Sequence, residues 1–227
     1  MSSSRQGAAV ELSVAEERKA LWAKTKAALV ELHAKHLTKY EWFLKADDDT
    51  YVIVENLRFF LLDKDPSQPL YFGYPFRVIV PGGYVSGGAG YVLSREALRR
   101  VVEQGLMQGR CRPDGSSPED AELGRCLKNV GAIRVETRDV LGRNRFFPLA
   151  IEHFLAASAL PRTWWIWRYS MHPVQTGKNC CSDTAVAFHY VRPQSMYLFE
   201  YLLYHAKVLG GPDERIHLRQ LPPPPEL

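Results

Sequence analysis

The spacing of apolar residues divides the chain into short helices and strands. Apolar positions at helical spacing predict a first helix over about Ala15–His36, with Leu21, Ala28 and Leu32 on one face and Trp22 and Leu29 beside them. A mostly apolar run at Glu41–Ala46 predicts a strand. Because helical and strand patterns alternate along the chain, the sequence predicts an α/β fold.

The same reading places the remaining elements and the ends of the domain. Further helices are predicted at about Glu55–Leu62, Ser94–Gln104, Ser117–Asn129 and Ser195–His205. Further strands are predicted at Leu70–Gly73, Arg77–Val80, Ile133–Thr137 and Ala185–Val191. One domain is expected over residues 15–209, between a disordered N-terminus at 1–14 and a Pro-rich disordered tail at 210–227.

Composition narrows the class of protein. The 227 residues are 46% hydrophobic and 24% charged, which suits a globular domain. The formal charge is only +4, and no basic run is present, so nucleic acid is not an expected partner. No apolar run has the length of a membrane span, and the first residues lack the apolar centre of a signal peptide. The sequence as given therefore predicts neither an anchor nor a leader.

Three consecutive carboxylates, Asp47-Asp48-Asp49, follow the Glu41–Ala46 strand. Adjacent negative charges repel one another unless a cation lies among them, and oxygen ligands suit Mg²⁺ or Mn²⁺ carrying a diphosphate. A solvated acidic turn is the alternative for any such cluster. The apolar Val52-Ile53-Val54 that follows favours a fixed, half-buried position and hence a metal site.

Asp120 is a second candidate for chemistry. Ser117 in the N-cap position, Pro118 in the first turn and Asp120 three residues after the cap form a typical helix start. A capping carboxylate explains Asp120 fully from local structure. The spacing alone therefore favours a structural role over a catalytic one.

Aromatic residues and one histidine mark the C-terminal half. The run Trp164–Tyr169 is more typical of a core than of a site, although an exposed indole also suits the apolar face of a sugar. His189 lies in an apolar strand, where a buried structural histidine is common. Imidazole is also a common third ligand beside carboxylates for Mn²⁺.

The four cysteines leave two interpretations open. Cys111 and Cys126 flank a turn-rich segment, and Cys180 and Cys181 are adjacent, so none has a zinc-site spacing. A Cys111–Cys126 disulfide is the favoured pairing. Free buried thiols explain the cysteines nearly as well.

Taken together, these motifs resemble the core 1 β1,3-galactosyltransferases, which group with Fringe and other β1,3-glycosyltransferases of the GT-A type. The resemblance extends from about Arg18 to His205, with the motifs in family order. The matching segments are Trp42–Ile53, Tyr71–Gly73, Gly83–Ser94, Glu119-Asp120, Leu123–Cys126, Leu160–Thr163, Cys180–Asp183 and Phe188–Val191. It implies a GT-A-type nucleotide-diphospho-sugar transferase fold that lacks its first strands here.

The resemblance also implies a reaction: inverting transfer of galactose from UDP-galactose to O3 of GalNAc on Ser or Thr of glycoproteins, with Mn²⁺. Asp120 would be the general base, kept ionised by its place at a helix N-terminus. The metal ligands would be Asp47, Asp49 and His189. The donor-binding residues would be Asp47, Asp48, Gly87, Gly88 and Glu119, and the acceptor contacts Trp165 and Tyr190.

Further expectations follow from the same family. Its members are commonly dimeric proteins of the Golgi membrane whose catalytic domains face the lumen, so a homodimer is a possible state of this chain. They carry additional nucleotide-binding strands upstream, so the Glu41–Ala46 strand is expected to have an unpaired edge here. The alternative function is that of a truncated, non-catalytic family member acting as an interaction or chaperone-like protein.

Overall fold

A computed structural model describes residues 14, 20–114 and 118–207 of the chain. The described helices are α1 Leu21–His36, α2 Val54–Leu61, α3 Arg95–Arg100, α4 Glu119–Asn129, α5 Ile151–Leu155, α6 Ile166–Tyr169 and α7 Pro193–Tyr204. The strands are β1 Trp42–Lys45, β2 Tyr51–Val52, β3 Leu70–Gly73, β4 Pro75–Phe76, β5 Tyr84–Val85, β6 Tyr91–Ser94, β7 Ile133–Arg134, β8 Phe146–Phe147 and β9 Ala187–Phe188. The terminal segments predicted to be disordered lie outside the described residues, except Val14.

The central sheet has four strands in the order β1-β6-β3-β7. Strand β6 pairs antiparallel with β1 and β3, and β7 joins β3 in parallel. Strand β1 therefore lies at one edge of the described sheet, as predicted. The mixed sheet and the helices around it give the α/β architecture that the sequence predicts.

Alternating side chains of this sheet pack against different helices. Phe43, Tyr71 and Leu93 belong to a core cluster with residues of α1, α3 and α4. In the same strands, Phe72 contacts Trp42 and also Phe60 of α2, with ring centroids 5.7 and 5.3 Å apart. The sheet thus has a hydrophobic layer on each face, which fixes β1 and the acidic turn that follows it.

A smaller sheet, in the order β2-β9-β8, brings together the residues of the candidate site. Strands β2 and β9 are antiparallel, with Tyr51 opposite Phe188 and Val52 opposite Ala187. The residues just before β2 therefore face those just after β9. This pairing brings the Asp47–Asp49 turn to His189, which is distant in the sequence.

Several predicted elements differ from the structure. The first helix buries Trp22 and Leu29, the two residues beside the predicted face, and Leu32 of that face packs against the core, whereas Leu21 is exposed. The strand predicted at Arg77–Val80 is wrong: the pairing residues are Pro75 and Phe76. Ile79 has a positive φ of 73°, which is incompatible with an extended strand.

Helix starts were predicted with mixed success. The Ser94 hydroxyl accepts a hydrogen bond from the Ala97 N–H, as expected of an N-cap, and a π-helical segment at Val101–Leu106 continues α3. Helix α4 begins at Glu119, and Pro118 occupies its N-cap position, where no side-chain hydrogen bond caps the helix. The predicted cap, Ser117, lies outside the described residues.

Two disulfides are present, Cys111–Cys126 and Cys180–Cys181. The favoured Cys111–Cys126 pairing is confirmed, and no free cysteine occurs. A Cβ at Gly105 would lie 2.9 Å from the Cys126 sulfur, so only glycine leaves room for this bridge. The bridge ties the segment after the π-helical turn to α4.

The described chain separates into two compact units, one ending at Tyr190 and one beginning at Val191. The second unit contains α7, many of whose apolar side chains, such as Tyr197 and Leu198, are exposed. Across residues 20–114 and 118–207, each helix falls short of the length and apolarity needed to cross a membrane. The predicted domain boundaries at 15 and 209 stay predictions.

Candidate active site

Asp47, Asp49 and His189 form a cluster suited to a metal ion. Each contributes one ligand atom, and these atoms lie within 4.8 Å of one another. The His189 Nε2 atom is 3.2 Å from an Asp49 oxygen and 3.7 Å from an Asp47 oxygen. Two carboxylates and one imidazole are a donor set that suits Mn²⁺ and similar divalent ions.

The second nitrogen of His189 has its own partner. Its Nδ1 lies 3.3 Å from the carbonyl oxygen of Pro148. A carbonyl can only accept, so Nδ1 donates to it, and Nε2 is the nitrogen that faces the two carboxylates. This arrangement is typical of metal-binding histidines, and it is the observation that best fits the cluster to a metal.

Backbone contacts hold the acidic turn. The Thr50 N–H donates to the Asp47 carbonyl at 3.1 Å, and the Thr50 hydroxyl donates to the Gly88 carbonyl at 2.8 Å. Asp48 lies at the exposed tip of the turn. Thr50 therefore links the Asp turn to the glycine turn that was predicted to face the donor sugar.

The glycines of that turn make close approach possible. A Cβ at Gly88 would overlap the imidazole ring of His189. A Cβ at Gly87 would lie 2.8 Å from an oxygen of Glu119, 3.4 Å from the Cβ of Asp120 and 3.6 Å from the Lys45 ammonium. The turn therefore packs between the Asp47–Asp49–His189 cluster and the start of α4.

Asp120 lies beside this turn on the first turn of α4. Its carboxylate accepts hydrogen bonds from the Ala121 N–H at 2.8 Å and the Gly87 N–H at 3.4 Å. Burial raises the pKa of Asp120, although both N–H groups and Lys45 oppose that shift. The expected dominance of the helix dipole is thus outweighed by burial. A raised pKa makes this carboxylate a stronger base near neutral pH.

Glu119 is more deeply placed than its neighbour, with 7% of its surface exposed. One oxygen accepts hydrogen bonds from Tyr91 at 2.7 Å and Thr25 at 3.1 Å. The other lies 4.0 Å from the Lys45 ammonium. Burial raises the pKa of Glu119. These contacts join α1, β1, β6 and α4, so the buried Glu119 holds together the elements that carry the site.

Trp165 belongs to a separate aromatic group. Its ring makes edge contacts with Phe76 and Tyr169 at 5.7 and 5.5 Å, and 42% of its surface is exposed. Phe76 in turn contacts Tyr84 at 5.5 Å, and the nearby Asp120 adds to the burial that raises the pKa of Tyr84. A chain of aromatic rings therefore connects the exposed Trp165 to the region of Asp120.

Tyr190 lies directly against His189 of the candidate cluster. Its ring stacks on His189 with centroids 3.9 Å apart, and 55% of its surface is exposed. Its φ of 53° is an uncommon conformation for tyrosine. That conformation orients the stacked, accessible ring beside the predicted ligands.

Lys45, Thr25 and Tyr91 were not among the predicted site residues. Lys45 occupies the strand position two residues before Asp47, and a lysine beside three acids was the only signal in the sequence. Thr25 and Tyr91 carry no local signal, because their roles depend on packing between distant elements.

Comparisons with known proteins agree with the geometry. The family model described as Fringe-like matches residues 6–143. The chain is 44% identical over 203 residues to glycoprotein-N-acetylgalactosamine 3-beta-galactosyltransferase 1 of Xenopus laevis, covering 89% of this chain and 56% of that protein. It therefore spans about half the length of this relative.

More distant relatives match shorter parts of the chain. Chondroitin sulfate synthase 3 of Homo sapiens is 38% identical over 114 residues, covering 45% of this chain and 13% of that protein. Beta-1,3-glucosyltransferase of Mus musculus is 33% identical over 125 residues, covering 54% and 25% respectively. These matches confirm the resemblance and the GT-A-type fold class predicted from the sequence. The chain belongs to the Fringe-like glycosyltransferase family.

Proposed function

We propose that the chain is the catalytic region of an inverting β1,3-galactosyltransferase. It transfers galactose from UDP-galactose to O3 of GalNAc on Ser or Thr of glycoproteins. The observation that carries the proposal is the convergence of Asp47, Asp49 and His189 with Asp120 around one glycine turn. The 44% identity to a galactosyltransferase that acts on glycoprotein GalNAc supports the choice of sugar and acceptor.

Asp47, Asp49 and His189 would hold Mn²⁺, and Asp47 and Asp48 would face the donor. Bound Mn²⁺ supplies Lewis acidity that neutralises the diphosphate charge of the leaving group. The support from this chain is the contact of His189 Nδ1 with the Pro148 carbonyl, which leaves Nε2, facing the carboxylates, as the nitrogen that would bind the ion. Gly87 and Gly88 let the backbone lie close to the donor sugar.

Asp120 is the proposed general base. Inversion in a single displacement requires one carboxylate to accept the proton of the acceptor hydroxyl. The raised pKa of Asp120 strengthens it as a base, and the hydrogen bond from the Gly87 N–H fixes it beside the donor turn. Glu119 is buried under Gly87, so its proposed role is to hold the glycine turn that faces the donor rather than to contact the donor as an exposed residue.

Trp165 and Tyr190 are the proposed acceptor contacts. Both rings are about half exposed. Aromatic faces suit the C–H surface of GalNAc, and the rigid edge contacts of Trp165 with Phe76 and Tyr169 hold its ring in place. By the same resemblance, we place the protein on the lumenal side of the Golgi membrane, as a homodimer.

The test is a transfer assay with UDP-galactose and a GalNAcα-Thr peptide, with Mn²⁺ or with EDTA. We expect product only with Mn²⁺, and Asp120→Asn should lose transfer while retaining its fold by circular dichroism. Folded wild-type protein that forms no product would contradict catalysis. It would favour the alternative of a non-catalytic interaction or chaperone-like protein.

A further inference from the structure

Lys45 lies in the middle of the acidic groups of the site. Its ammonium contacts a carboxylate oxygen of Asp47, donates to the Gly87 carbonyl at 3.3 Å and lies 4.0 Å from an oxygen of Glu119. It is also 5.8 Å from the centre of the Tyr91 ring. Only 31% of its side chain is exposed, so several contacts hold the ammonium in one position.

Three carboxylates, those of Asp47, Glu119 and Asp120, lie near this ammonium, and together with Asp49 of the same turn we name them the acid cluster. Glu119 and Asp120 meet Lys45 at Gly87, where a Cβ would be within 3.6 Å of a heavy atom of each of the three side chains. Glu119 and Asp120 are buried or half-buried, so water screens them incompletely. Lys45 therefore offsets repulsion that the protein would otherwise experience between the strand end and α4.

A divalent cation at Asp47, Asp49 and His189 would share the Asp47 carboxylate with Lys45. The fixed ammonium repels that cation, and it also occupies one of the Asp47 oxygens. Lys45 thus stabilises the fold most when the divalent cation is absent. By thermodynamic reciprocity, it must weaken the binding of that cation by the same free energy.

We propose that Lys45 is a built-in counter-charge of the acid cluster, which holds Asp47 in place without a divalent cation and keeps that cation's affinity low. The consequence for the enzyme is a metal that exchanges readily rather than one that is permanently retained. The inference rests on the proposed metal site and assigns Lys45 a positioning role, not a catalytic one.

The test compares Lys45→Met with Lys64→Met. Lys64 is a matched control: it also contacts an aspartate, Asp63, and lies 5.3 Å from an aromatic ring, that of Phe60, but away from the acid cluster. Mn²⁺ binding is measured by calorimetric titration, and melting temperatures are measured in EDTA and in saturating Mn²⁺. Lys45→Arg keeps the charge and serves as the conservative variant.

We expect Lys45→Met to bind Mn²⁺ about three- to tenfold more tightly than wild type, because one nearby positive charge is lost. Its melting temperature should fall in EDTA and recover towards wild type in Mn²⁺. Lys64→Met and Lys45→Arg should bind Mn²⁺ as wild type does.

Unchanged or weaker Mn²⁺ binding by Lys45→Met, with a wild-type protein that binds normally, would overturn the counter-charge role alone. If the folded wild-type protein does not bind Mn²⁺, the proposed metal site fails, and this inference fails with it. The two failures are therefore distinguished by the wild-type titration.

Discussion

Replacing Glu119 with alanine would remove a buried acceptor on which two hydroxyl groups depend. Tyr91 is 1% exposed and has no access to water that could replace the lost hydrogen bond, whereas Thr25 is only partly buried. A buried donor left unsatisfied costs about 1–3 kcal/mol, and a lost hydrogen bond to a charged group contributes about 1.5–3 kcal/mol. Because these contributions overlap, we expect Glu119→Ala to lower the free energy of unfolding by about 3–4 kcal/mol.

Glu119→Gln provides the matched comparison. The amide oxygen of glutamine can still accept hydrogen bonds from Tyr91 and Thr25. The substitution also removes a buried carboxyl group whose pKa is raised by burial. We therefore expect Glu119→Gln to change the free energy of unfolding by less than about 1 kcal/mol at neutral pH. Tyr91→Phe should cost about 1 kcal/mol, since Thr25 still satisfies the carboxylate.

Urea unfolding of the four proteins, followed by circular dichroism, measures these differences. The reasoning would be refuted if Glu119→Ala lost less than about 1 kcal/mol, or if the glutamine variant lost as much as the alanine variant. Either result, combined with weaker UDP-galactose binding, would make Glu119 a direct donor contact rather than a support beneath the turn.

Three further predictions concern Asp120, the glycine turn and the disulfide. Asp120→Asn should lower transfer about 10²–10⁴-fold. The pKa of Asp120 is raised in the fold, so the wild-type protein loses stability as the pH rises from the pKa of the unfolded state to that of the folded state. The asparagine variant lacks this loss. Its melting temperature should therefore rise relative to that of wild type over the same pH interval. Gly88→Ala should weaken Mn²⁺ binding in calorimetric titrations, because its Cβ would displace His189; wild-type affinity would contradict the geometry. Replacing Cys111 and Cys126 with alanine opens a loop of sequence separation 15, which should cost about 3 kcal/mol in urea unfolding; an unchanged midpoint would refute this.

Much of the site was predictable because its residues lie in contiguous motifs. The structure has both the apolar strand and the Asp47–Asp49 cluster at its carboxyl end, as predicted, whereas the edge position of the strand was expected only from the resemblance. The approach of His189 to Asp49 was implied only by resemblance, since it depends on the pairing of β2 with β9. Single-sequence patterns do not specify such long-range pairing.

Other features depend on tertiary contacts that local patterns do not encode. The apolar Arg77–Val80 segment has strand-like composition, but the Arg77 N–H donates to the Tyr169 carbonyl and Ile79 adopts a positive φ. The local spacing of residues at the helix start explained Asp120 as a cap, whereas its contact with Gly87 arises from the packing of α4 against the glycine turn. Propensity and spacing are overridden at these positions by packing between distant segments.

The central claim is that Asp120 and the Asp47–Asp49–His189 cluster together transfer galactose to GalNAc. The most direct measurement is the product formed from UDP-galactose and a GalNAcα-Thr peptide with Mn²⁺, with its linkage determined by NMR. We predict galactose joined in β configuration to O3 of GalNAc, and no product in EDTA. A folded chain that yields no product, or an α-linked product, would contradict the account.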